Sequence, residues 1–214
     1  MFGMEKFQCY RLHTLTLLTY LLNLPHHLDL NPESYFNLYE HDKESYEHII
    51  LNRFPLARRA YQTWPVGLWF HNELQQDSTI RDLVLRIWNR SKEEYRRWSL
   101  IEFMFYRSID DGRFYVYFER TENSELSFDL AHLCRFRLLG IAEHLLQQNN
   151  DVSALEAKLE PCNDYSRYFG NPPDVKGTPF QIAARMGEFD LVELLLRYGA
   201  KSKPAVWLID SPHS

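Results

Sequence analysis

Two short blocks near the end of the chain constrain its fold more than anything else in it. The first is Gly177-Thr178-Pro179-Phe180-Gln181-Ile182-Ala183-Ala184-Arg185-Met186-Gly187; the second is Leu191-Val192-Glu193-Leu194-Leu195-Leu196-Arg197-Tyr198-Gly199-Ala200. Together they read as a helical hairpin. Thr178 is placed to cap the first helix, and Pro179 falls in the first turn, where its missing N–H costs no hydrogen bond. Ala183 and Ala184 are small enough for two antiparallel helices to approach closely. Gly187 permits the tight turn between them, because glycine enters positive φ without a Cβ penalty. Leu191, Val192, Leu194, Leu195 and Leu196 give the second helix an apolar stripe at helical spacing. Gly199 is placed as the left-handed residue that ends it.

The pattern G-T-P-F-x-I-A-A-x-x-G followed by L-V-E-L-L-L-x-x-G-A, within Asp174–Ala200, resembles one ankyrin repeat and covers about an eighth of the chain. There are departures. The family's usual His of T-P-L-H is Gln181, its usual His after the turn glycine is Glu188, and Lys201 stands where Asp is frequent. Gly177 also adjoins Thr178 directly, where the family has one residue between. These changes weaken turn-to-turn hydrogen bonding and leave the apolar skeleton intact. The resemblance implies a protein-binding role, since ankyrin repeats bind other proteins and rarely perform chemistry.

A single repeat cannot bury its own faces, and about three are normally needed. Upstream, Ser127-Phe128-Asp129-Leu130-Ala131-His132-Leu133-Cys134 is similar to Pro179–Met186, and Ala142–Asn149 is similar to Val192–Gly199, with Asn149 in the place of the capping glycine. The two copies are separated by about 50 residues against about 33 in the family, which implies an insertion through Val152–Pro172. A chance amphipathic helix is the competing reading of the upstream copy.

The remaining chain predicts helices at Cys9–Leu24, ended by Pro25, at Pro32–Tyr39, at Lys43–Phe54 and at Pro55–Trp64, broken at Pro65. The aromatic stretch Trp64–Phe70 reads as a linker or short helix. Asp77 or Ser78 caps an amphipathic helix through Trp88 that turns Ile80, Leu83, Val84, Ile87 and Trp88 inward. Ser91-Lys92-Glu93-Glu94 is a capping-box pattern. From Leu100 to Arg120, aromatic residues alternate with polar ones around Asp110-Asp111-Gly112, which predicts a β-hairpin. The alternative runs the Ser91 helix on to Ile109 and leaves Phe114–Phe118 as a lone strand without a backbone partner. The expected architecture is therefore mainly α. A helical region 1–125 carries one hairpin near 100–120, and an ankyrin-like region 126–214 follows, with an insertion near 152–172. The break falls at Thr121-Glu122-Asn123-Ser124.

A net charge of -5 argues against general nucleic-acid binding, which needs clustered Lys and Arg. Cys9, Cys134 and Cys162 are too few and too scattered for a disulfide framework, which points to a reducing, cytoplasmic setting. Leu15–Leu24 is too short to span a bilayer, and Pro25-His26-His27 follows it in place of the small residues of a cleavage site. No nucleotide-binding, nucleophile-elbow or zinc-protease motif is present. Cys9 and His13 share a helix face without a third ligand. His26, His27, His41 and His48 form a loose group best explained as solvated, and His132 and Cys134 lie on different helix faces. Asp110, Asp111 and Glu102 are acids beside the predicted hairpin, more simply a turn than a general acid or base. Asn31-Pro32-Glu33-Ser34-Tyr35 has its Tyr one place too far for an N-P-x-Y peptide. No catalytic residue, metal ligand or cofactor is assigned.

The reading is a protein-interaction module whose partner is another protein. Its expected surface is Gln181, Arg185 and Glu188 on the first helix with Lys176 on the adjoining loop, extended upstream by Asp129, His132 and Leu133. Small proteins with diverged ankyrin repeats resemble host-directed effectors of intracellular bacteria, which implies a cytoplasmic protein exported into a host cell without a cleaved signal. The alternative is a small enzyme with its site within residues 1–125.

Overall fold

The computed structural model describes residues 2–27, 52–88, 98, 125–149, 152–157 and 177–201, and these are mainly helical. Helix α1 spans Phe2–His27, α2 Ala57–Phe70 and α3 Ser78–Trp88, with a 3-10 turn at Asn72–Gln76 before α3. Then follow α4 (Glu125–Arg135), α5 (Leu139–Gln148), the short α6 (Val152–Glu156), α7 (Pro179–Arg185) and α8 (Phe189–Arg197). The predicted β-hairpin at 100–120, the Ser91 capping box, the helix predicted at 32–39, residues 43–51 of the helix predicted at 43–54, and the break at 121–124 lie outside the described residues.

Both prolines expected to end helices instead lie inside them. α1 runs through Pro25 to His27, and α2 runs through Pro65 to Phe70. An interior proline removes one hydrogen bond and costs about 3 kcal/mol or more. In α2 that cost is set against a continuous buried stripe of Ala57, Ala60, Tyr61, Trp64 and Leu68, in which Pro65 itself is buried. Each large side chain in such a stripe contributes about 1.5–3 kcal/mol when withdrawn from water, so the stripe holds the helix together across the break.

α1 packs on α2 and α3 through Thr14, Leu18, Leu21 and Leu22, with Tyr10 against His71 at a ring separation of 4.0 Å. Arg11 pairs with Asp77 at 2.6 Å, and the Asp77 carboxylate also accepts from the N–H groups of Thr79 (2.9 Å) and Ile80 (3.2 Å). Asp77 is thus the predicted cap of α3. Burial pushes its carboxyl pKa up, but the Arg11 hydrogen bond, the Ile80 amide, the Arg11 charge and the Thr79 amide outweigh burial and hold it below the usual value. Ile80, Val84, Ile87 and Trp88 face inward as the sequence pattern indicates.

The remaining helices form two hairpins side by side. α4 lies against α7 and α5 against α8, with α6 packed on α4. The insertion expected at 152–172 therefore begins as a helix, and Ala154 and Leu155 are buried in the core. One apolar core runs from α1 to α8 without interruption. Trp64 and Trp88 deliver the N-terminal helices onto the first hairpin, 5.2 Å and 5.6 Å from the ring of Phe136. Beside them, buried Gln75 ties the two parts together. Its Nε2 donates to the Leu68 carbonyl at 3.0 Å, and its Oε1 accepts from the Gly140 N–H at 2.8 Å. Gly140 admits this approach because a Cβ there would stand 3.1 Å from the Gln75 Cβ.

Gln75→Ala strips partners from a buried carbonyl near the end of α2 and a buried N–H in α5. The expected loss is about 1–3 kcal/mol of unfolding free energy, read by urea denaturation. An unchanged midpoint would show that this bridge does not join the two parts.

Candidate protein-interaction surface

The C-terminal hairpin is built as its residues dictate. Thr178 has extended backbone and caps α7: its hydroxyl accepts from the Gln181 N–H at 3.3 Å, while the Thr178 N–H donates to Gln181 Oε1 at 3.1 Å. Gln181 therefore completes a capping box with Thr178. The turn is closed by Met186 N–H to Ile182 O, Gly187 N–H to Ala184 O and Glu188 N–H to Ala183 O, with Gly187 at φ 72°. α8 ends at Gly199, φ 92°, with Ala200 N–H donating to Leu195 O and Gly199 N–H to Leu196 O. That pair of bonds is a Schellman stop.

The first hairpin repeats this turn bond for bond. Phe136 N–H donates to His132 O, Arg137 N–H to Cys134 O and Leu138 N–H to Leu133 O, with Arg137 at φ 58°. Each partner stands fifty positions before its counterpart, as Arg137 stands before Gly187. This corrects the register of the upstream copy. The sequence alignment of the first helices sets Ser127 against Pro179; the turn sets Asp129 there, and Ala131 opposite Gln181. The second helices, Ala142 opposite Val192, already carry the offset of fifty, and extending it backwards gives the observed register. Asn149 also departs from expectation. It is extended at φ -120°, and its side-chain amide donates to the Leu145 carbonyl in place of a left-handed cap.

Ion pairs join the two hairpins and the helix between them. Arg137 at the first turn pairs with Glu188 at the second, Lys201 pairs with Glu156 of α6, and Arg197 lies 4.0 Å from Glu143. The Arg137–Glu188 contact connects one turn to the next.

The structure disperses the seven residues expected to form one exposed surface. His132 and Leu133 are fully buried and Asp129 nearly so, because α7 covers one side of α4 and the Trp88 ring covers another. They cannot extend a surface groove. Gln181 is half-buried and engaged in the cap, and Glu188 is engaged with Arg137. Arg185 is exposed, and Lys176 lies outside the described residues. In α8, Leu191, Leu194 and Leu195 of the apolar stripe are buried, whereas Leu196 is 44% exposed and the neighbouring Phe189 83%. Ala184 is exposed with them.

Cys9 and His13 are both exposed on α1, and among the described residues no group of three or more His, Cys, Asp or Glu is placed to hold a metal ion. No helix among the described residues is long and apolar enough to cross a membrane. A shallow groove of about 560 Å³ along α1 is lined by Leu15, Thr19, Tyr20, Leu24, Phe54 and their neighbours, with no carboxylate, imidazole or thiol in that lining. Cys134 is buried, and burial together with the charge of Glu188 pushes its thiol pKa up, which makes it a packing group. No protein family, curated protein or solved structure matches this chain.

His132 stacks on Trp88 at 5.0 Å and meets Phe128 edge-on at 4.7 Å. Burial, and secondarily the charge of Arg135, lowers its pKa well below the ordinary value. The folded protein holds it neutral while the unfolded chain protonates it near pH ~6.5. The unfolded state therefore binds more protons below that pH, and stability falls as pH falls from about 6.5 towards the folded pKa. His132→Phe is expected to flatten that slope in urea midpoints measured from about pH 7 to about pH 5.5; an unaltered slope would contradict it.

At Gly187 a Cβ would meet nothing within 4 Å, so only the positive φ opposes a side chain. Gly187→Val is expected to cost about 1–3 kcal/mol through that backbone penalty, read as a lower melting temperature. An unchanged melting temperature would rule out the left-handed turn.

Proposed function

We propose that this protein is a non-enzymatic protein-interaction module built on two stacked ankyrin-like helix pairs. One observation carries the reading: two hairpins with the same turn, fifty residues apart, lie side by side and are tied turn to turn by Arg137 and Glu188. Stacked hairpins of this kind present a surface shaped by backbone geometry, on which exposed side chains vary without cost to the core. The partner is another protein, and the contact falls on the second pair, where Arg185 is exposed beside Ala184. The first pair is enclosed between the N-terminal helices and the second pair and contributes support. By analogy of architecture, we place the module in a cytoplasm, as a host-directed effector of an intracellular bacterium.

Pull-down from host-cell cytosol tests this reading, with the full chain beside one ending at Pro173. The full chain is expected to retain a partner that the shortened chain loses. Arg185→Glu is expected to weaken capture about tenfold while leaving the fold intact, the range typical of a contact that anchors an interface. Equal capture by both chains would place the interaction in residues 1–173 and overturn the proposal.

A further inference from the structure

The fifty-residue equivalence allows the two hairpins to be compared position by position. Cys134 and Arg135 correspond to Ala184 and Arg185, Leu139 to Phe189, and Leu146 to Leu196. In the first hairpin these positions are withdrawn from solvent: Cys134 is 0% exposed, Arg135 8% and Leu146 1%, and Leu139 is packed against the core. In the second they are open, with Phe189 at 83%, Leu196 at 44%, and Ala184 and Arg185 exposed. The turn and its register are the same, so the difference lies in what flanks each hairpin. The first hairpin is flanked by the N-terminal helices and by the second hairpin, whereas the second, among the described residues, is flanked on one side. That α4 faces the second hairpin is marked by Cys134, which feels the charge of Glu188.

Phe189 and Leu196 are seven residues apart, with Val192 and Glu193 between them on the same face of α8. The charges define what fits there. In the first hairpin Glu143 faces Arg197 of the next unit. Its counterpart is Glu193, 75% exposed and paired with Arg197 of its own helix at 3.3 Å. At the turn, Arg137 reaches Glu188, whereas its counterpart Gly187 has no charge to offer. A second copy of this chain fits poorly: its own leading face is already occupied by α4 and α5, and a two-fold contact between α8 helices would set Glu193 against Glu193.

We infer that the open end of the α7–α8 pair is a seat for a third helical hairpin supplied by a partner protein, stacking on Phe189 and Leu196 with a cation opposite Glu193. This rests on the interaction-module reading and names the partner's chemistry. It continues an interface that the chain already makes within itself.

The probe is this chain's own hairpin. A second copy of residues 152–201 is joined after Lys201 in the otherwise complete chain, so that the copy supplies both the stacking face and the cation. In the natural chain, Leu196→Asp on an open face is expected to change the folding equilibrium constant by less than about threefold. In the extended chain the same change is expected to lower it at least about tenfold, and Glu193→Lys to lower it only there. Equal effects of Leu196→Asp in the two chains would overturn the seat. So would a large effect in the natural chain, which would mean that another segment of the chain covers the face, or a natural chain that sediments as a dimer. In the pull-down, a partner still captured by the Leu196→Asp chain would leave the interaction module standing and refute this placement of it.

Discussion

The arrangement depends on one buried aromatic junction. Trp64 and Trp88, from two different N-terminal helices, meet Phe136 at the turn of the first hairpin, and Trp88 lies flat on His132. Aromatic groups of this size dominate the energetics of a core, because each removes a large apolar area from water and adds a geometric preference for its neighbours. Here they fix where the N-terminal helices end and the stack begins. With α4 held on that side, its opposite side receives α7, and the second hairpin follows in the same orientation. Gln75 and the Trp69 indole, which donates to the Phe136 carbonyl, satisfy polar groups that the junction would otherwise bury bare.

The N-terminal helices therefore act as a cap. A helical pair in a stack exposes two apolar sides, and a stack stays soluble when its ends are covered. The first side of α4–α5 is covered by residues that carry no trace of a repeat pattern. The last side of α7–α8 carries Phe189 and Leu196 in the open. On the proposed reading, this asymmetry makes the second hairpin the side that receives a partner, with the first hairpin as its foundation.

Much of this was legible in the sequence where a residue has one physical use. Thr178, Pro179, Gly187, Gly199 and the Asp77 cap each occupy the predicted position, because capping and positive φ are local demands. Three features were not legible. Pro25 and Pro65 read as helix ends, yet both helices run through them, and at Pro65 a continuous buried stripe offsets the cost. Arg137 takes a left-handed conformation that its residue type does not announce, so the first turn was invisible and the first-helix register slipped by two. The exposed surface differs from expectation for another reason. Asp129, His132 and Leu133 sit on a helix covered from both sides, and coverage by distant helices leaves no mark in local periodicity.

Among the described residues, the first hairpin is enclosed on both sides and the second on one. Native-state hydrogen exchange tests it directly. The amides of α4 and α5 are expected to exchange only by global unfolding, and those of α8 by local opening at a lower free energy. Protection in α8 equal to that in α5 would contradict this, because the second hairpin would then have no open side.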